Sequence, residues 1–147
     1  MPRRKRLTIV IVYNADAGTM PERPEDRGSV ADLKAMVRQI ARALRTRGHV
    51  VRLLPLYRDL FAFQRRLLRI NPDVVFNQYE DVVHGALYEM RLAAIVRMMG
   101  YALTGTPALG LGLSRSKHMV ASLLHGAGIP VPPQTELLER VGDVDRR

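Results

Sequence analysis

The sequence predicts an α/β protein: a mainly parallel sheet of four or more strands, covered by helices on both faces. Three observations predict it. Short apolar runs rich in Val and Ile, suited to strands buried on both sides, recur along the chain. Between them lie longer stretches whose apolar residues repeat at helical period, the alternation of βαβ units rather than of hairpins. The length, 147 residues, is that of one domain with one core.

The first element is Leu7 to Tyr13, a continuous run of β-branched and aliphatic residues expected to lie centrally in the sheet. Asn14 to Gly28 follows, a charged segment with two prolines and two glycines. It exceeds the usual strand-to-helix connection, so it is expected to be functional and poorly ordered without a ligand or partner domain. Ser29 stands three residues before Asp32, a capping-box spacing, and Leu33, Met36, Val37, Ile40, Ala41 and Leu44 then recur at helical period until Gly48. Lys34, Arg38, Arg42 and Arg45 fall on the opposite side and read as a solvated helix face. Val50 to Leu54 is the second strand. Asp59 to Ile70 is a helix that Asn71-Pro72 ends, and Asp73 to Asn77 is the third strand. Ala86 to Met99 is a helix closed by Gly100, and Tyr101 to Leu103 a short fourth strand. Thr104-Gly-Thr-Pro107 is a turn. Ser114 to His125 is the last helix, stopped by Gly126, Gly128 and Pro130-Val-Pro-Pro133. Residues 1–6 form a basic tail, 7–133 the domain, and 134–147 a connection or a frayed tail.

Composition narrows the chemistry. The absence of Cys excludes disulfides, thiolate metal sites and a Cys nucleophile, and it fits a reducing, cytoplasmic setting. The apolar run after the basic tail barely reaches signal-peptide length and is strand-like, and no stretch approaches the roughly 20 apolar residues of a membrane span. The net charge of +9 favours anionic ligands, but 20 Arg against 3 Lys fits coding bias as well. With 5% aromatic residues, a stacking platform for single strands is not expected, and nucleic acid ranks last among partners.

In parallel sheets, ligands bind beyond the carboxyl ends of the strands, which here selects the loops Asn14 to Gly28, Asn77 to Gly85 and Thr104 to Pro107. None carries a dinucleotide fingerprint or a P-loop, and Gly110-Leu-Gly112 is a fragment of such patterns. His84, His118 and His125 lack ligand spacing, and His49 reads as a surface residue after a helix-ending Gly. Glu80, Asp81 and His84 share one loop and could pair as acid and base, although on spacing alone a hydrogen-bonded loop is the more frequent explanation.

Six pieces occur in a particular order: Pro72-Asp-Val-Val-Phe-Asn77, Glu80, Glu89, Met99-Gly-Tyr-Ala-Leu-Thr-Gly-Thr106, Ser114-Arg-Ser-Lys117 and Leu124-His-Gly-Ala-Gly-Ile-Pro-Val-Pro132. Their order and spacing resemble the N-terminal part of D-alanine–D-alanine ligases and related ATP-grasp ligases. The resemblance covers Leu7 to Pro133 and implies a three-layer α/β/α, Rossmann-like pre-ATP-grasp domain. It implies that Lys117 contacts an ATP phosphate, a role that suits a flexible ammonium. It also matches Glu25, four residues before Ser29, to the carboxylate that holds the ammonium of the first D-alanine. The family's paired glycines stand here as Asn14-Ala15, and Glu22 is a rival for that role.

The function implied is ATP-dependent joining of a carboxylate to an amine through an acyl phosphate, in peptidoglycan precursor synthesis. In such ligases the Mg²⁺ carboxylates and the adenine pocket lie on later domains, so this chain is expected to contain no catalytic residues and to be inactive alone. Its partners would be an amino-acid-like substrate, ATP and an ATP-grasp region in cis or in trans. The alternative is a non-catalytic module that associates with a partner, or with itself as a homodimer, through the surface the later domains would cover.

Overall fold

In a computed structural model the chain is described over residues 5–14, 27–57, 59–80 and 87–132, with the side chains of 27–31 left aside. Glu22, Glu25, Asp81, His84, most of the Asn14 to Gly28 loop and the segment from Pro133 to Arg147 lie outside the described residues.

The elements are β1 (Thr8–Asn14), α1 (Arg27–Thr46), β2 (Val50–Leu56), α2 (Leu60–Ile70), β3 (Val74–Gln78), α3 (Leu87–Met98), β4 (Ala102–Leu103), α4 (Ala108–Ser114) and α5 (Lys117–Gly126). The four strands form one sheet in the order β2-β1-β3-β4, every neighbouring pair parallel. The apolar run that opens the chain is therefore interior, as its composition predicts.

Alternate residues of the strands feed two cores. On one face Ile11 and Val51 pack with Val37 and Ala41 of α1. On the other, Val10, Val12, Leu54 and Val75 pack with Phe63 and Leu67 of α2 and with Leu92 and Val96 of α3. Helix therefore covers both faces, giving a Rossmann-like three-layer α/β/α sandwich. Each fully buried aliphatic side chain of β1 contributes about 1.5–3 kcal/mol, which makes the strand the anchor of both cores.

Local chemistry sets most boundaries. The Asp59 carboxylate accepts the Ala62 N–H at 2.8 Å and caps α2. Asn71, in the left-handed region at φ 46°, ends that helix by donating its N–H to Leu67 O. Gly100, at φ 86°, closes α3.

Three expectations are corrected. Helix α1 begins at Arg27, so Ser29 lies inside its first turn rather than ahead of it, because the capping-box spacing also occurs within helices. β2 continues to Leu56, past Pro55. Val50 donates its N–H to Leu7 O on the β1 side, so the alternation turns position 55 to the open edge, where no N–H is needed. The last helix is two helices, α4 and α5, with Ser116 rather than Ser114 before the second. Gly110 and Gly112 disguise α4 in the sequence because glycine disfavours helix.

Candidate functional site at the strand ends

The strand order fixes where a ligand crevice belongs. α1, which follows β1, and α3, which follows β3, lie on opposite faces, so the topological switch point of the sheet falls between the carboxyl ends of these adjacent strands.

Side chains lace that edge together. Asn14, the last residue of β1, accepts the Glu80 N–H on Oδ1 at 2.8 Å and donates from Nδ2 to the Glu80 carbonyl. One amide thus fixes both backbone groups of a residue beyond β3. Asn77 donates its own N–H to Thr104 Oγ1 at 3.0 Å, while its Oδ1 accepts the Tyr79 N–H at 3.1 Å in an Asx turn. Thr104 in turn donates its N–H to Val75 O at 3.0 Å, tying the turn after β4 to β3. The Tyr79 ring is buried with its centroid 5.8 Å from that of Tyr88, which fixes the exit of β3 against α3. Glu80 itself is exposed at the rim, with its backbone clamped.

Lys117 reaches this end of the molecule indirectly. It is the exposed first residue of α5, and Ser116 caps that helix by accepting the Met119 N–H at 3.2 Å. Two residues earlier, Arg115 Nη2 donates to Glu89 Oε1 in an ion pair. Glu89 belongs to the first turn of α3, the helix entered from the end of β3, and it is buried. The pair therefore docks the α4–α5 junction, and Lys117 with it, on the carboxyl side of the sheet. Sequence reading quotes Glu89 without a role and gives Arg115 none. They stand 26 residues apart, and no periodicity links them.

Other candidates separate. Gly110-Leu-Gly112 lies within α4, where a Cβ at Gly112 would come 2.6 Å from Met90 Sδ and one at Gly110 2.5 Å from Thr106 Cγ2. These glycines permit close packing and are not a phosphate loop. His49 is half-buried and accepts the Leu7 N–H on Nδ1 at 3.3 Å, which holds the start of β1 at the end of the sheet remote from the crevice. His118 and His125 are exposed on α5. Among the described residues no three His, Asp or Glu side chains converge on a metal position. No helix among them is long and apolar enough to cross a membrane.

The described part of the crevice presents the Thr104 hydroxyl and the Glu80 carboxylate beside amides fixed on backbone groups, a set suited to holding a polar ligand. No model of a known protein family matches the chain and no curated protein does, so what the crevice holds is argued from its own residues.

Proposed function

We propose that the chain is the substrate-side, N-terminal domain of an ATP-dependent carboxylate–amine ligase resembling D-alanine–D-alanine ligases, working in the cytoplasm. The observation that carries this reading is the α4–α5 arm. The segment Thr104 to Pro132, which carries Ser114-Arg-Ser-Lys117 and the Leu124 to Pro132 piece of the resemblance, packs on α3 through α4 and continues as α5, and neither short helix has a buried residue. Met119, Leu123 and Ile129 stand about half exposed and Leu109 more so. A ten-residue helix is marginal in water without packing, so a face of this kind calls for further protein against it. An ATP-grasp region following the arm would supply that cover.

On this reading ATP supplies the phosphoryl group that activates the substrate carboxylate. Lys117 binds a phosphate as a point charge, Glu25 holds the amino substrate's ammonium, and the Asn14, Asn77 and Thr104 bonds keep the strand ends in place. The Mg²⁺ ligands belong to the later region, and no step is assigned to a metal in this chain.

The test is phosphate release with candidate D-amino acids. One charge-assisted contact contributes about 1.5–3 kcal/mol, whereas millimolar affinity corresponds to about 4 kcal/mol, so residues 1–147 alone should turn over nothing. In an enzyme that includes the ATP-grasp region, Lys117→Ala should raise the KM for ATP by about tenfold or more, and Glu25→Gln that for the amino acid. Substrate-dependent release by residues 1–147 alone, or an unchanged KM for ATP, would overturn the reading. The same exposed arm favours a second reading, a homodimer sealed through α5. In that case Leu123→Glu should convert a dimer to a monomer in sedimentation, with no ATP-grasp region involved.

A further inference from the structure

The chain's positive charge is localised. Residues 27–70, which make up α1, β2 and α2, contain eleven of the 23 basic residues and two of the 14 acidic ones, a net +9. The remaining twelve basic and twelve acidic residues cancel, so one αβα unit carries the whole net charge. Coding bias toward Arg would spread through the chain and does not produce this segregation.

The fold places the described cations of that unit around one edge of the sheet, on its edge strand and on the two helices that flank it. β2 is an edge strand, with α1 against one face of it and α2 against the other. Lys34, Arg38, Arg42 and Arg45 are exposed and recur at the spacing that places residues on one side of a helix. Arg45 shows which side that is: its Nη2 donates to the carbonyl of Val51, on β2, at 2.9 Å. The line of cations therefore runs along the β2 flank for about 16 Å, at 1.5 Å of rise per residue. Arg52 is exposed on β2 itself, and Arg65, Arg66 and Arg69 are exposed on α2. The acidic residues in this unit are Asp32 and Asp59, and the second is occupied in capping α2. Apolar groups stand among the cations: Phe61 is 76% exposed and Tyr57 51%. The aromatic content of the chain, averaged over its length, hides this pairing.

We propose that this flank binds single-stranded RNA. Arg dominates the unit, and its planar fork both binds phosphate bidentately and stacks on bases. Tyr57 and Phe61 supply ring faces, which a phosphate-binding surface alone would not need and unpaired bases use. The shape favours a flexible polyanion. The cations lie on two helices on opposite faces of the sheet and on the edge between them, so a flat lipid surface meets one helix at a time, whereas a strand can bend around the edge. The inference does not depend on the ligase reading, whose crevice lies at the strand ends.

The experiment is fluorescence anisotropy of the full chain with a labelled single-stranded RNA of mixed sequence, titrated over a range of salt. Saturable binding should weaken with salt at a log–log slope of about −3, the value for four neutralised phosphates on a single strand. R38Q/R42Q on α1 and R65Q/R69Q on α2 should each weaken binding about tenfold with melting unchanged. R6Q/R91Q, which removes the same charge at exposed sites outside the unit, should change it less than about twofold. Phe61→Ala should weaken it without changing the salt slope. Equal losses in R6Q/R91Q and R38Q/R42Q would show that net charge, not this flank, is responsible. Absence of saturable RNA binding, including a result in which phosphatidylserine vesicles or polyglutamate bind instead, would likewise overturn the proposal.

Discussion

Glu89 is a buried carboxylate, and its ion pair reaches a guanidinium more than a third exposed, so the two ends of that pair do not weigh equally. Removing Arg115 takes a cation from a group that water cannot reach freely. Breaking a fully buried pair costs about 3–5 kcal/mol, and the exposure of Arg115 reduces the expectation for Arg115→Ala to about 1–2 kcal/mol in urea unfolding. Glu89→Gln combined with Arg115→Ala should lose less than the two single losses added. A second residue-scale test concerns Asn14. Asn14→Leu removes both bonds to the Glu80 backbone, so the Glu80 amide should exchange with solvent at least tenfold faster, while the Asp73 amide, bonded to Thr8 O at 2.8 Å, keeps its protection. Legibility divides along the same line. Asn14 and Thr104 could be read as site residues because strand ends and turns are visible in a pattern, whereas Glu89 and Arg115 meet only through folding.

Helix α2 was legible from end to end. The sequence places it over Asp59 to Ile70 with Asn71-Pro72 as its stop, and because start and stop signals act locally the structure reproduces it to within a residue, with Asp59 as the cap. Helix α4 was not, because glycine disfavours helix and Gly112 answers to Met90, 22 residues earlier in the chain, rather than to its own propensity. The contact gives a test. Gly112→Ala gains about 1 kcal/mol of helix propensity and meets Met90 Sδ at 2.6 Å, the far end of a flexible, half-buried side chain that can turn aside at modest cost, so the net gain should fall short of about 1 kcal/mol. In a Met90→Ala background the obstacle is gone and the same substitution should gain more, which a double-mutant cycle by thermal melting reads directly. An equal gain in the two backgrounds would mean that α3 and α4 are not held at this contact.

At the scale of the molecule, the sheet was legible because each strand announces its own burial and parallel order follows from intervening helices. Strand order is a different kind of fact. Nothing in β1 specifies that β2 and β3 flank it, and although the strand-end loops are legible as a ligand edge, the switch point between β1 and β3 becomes visible only once that order is known. The distribution of charge was present in the sequence but acquires meaning only when α1, β2 and α2 are seen to share one flank.

The same flank governs how copies of the chain meet one another. An open β-strand is a template for intermolecular pairing and, through it, for aggregation. The two borders of this sheet are protected differently: β4 has only two residues to offer, whereas β2 has seven. Along β2 the backbone groups of Val51, Leu53 and Pro55 point to the open edge, and of these the carbonyl of Val51 is already engaged by Arg45 while Pro55 has no N–H to give. The longest border is therefore interrupted near both ends, with exposed cations beside it to repel a second copy. Restoring it with Arg45→Leu and Pro55→Val should leave the monomer's circular dichroism unchanged at low concentration, yet produce thioflavin-positive aggregates on concentration that the parent chain does not form. Solubility would then be a property encoded in one guanidinium and one missing proton at the border of the sheet.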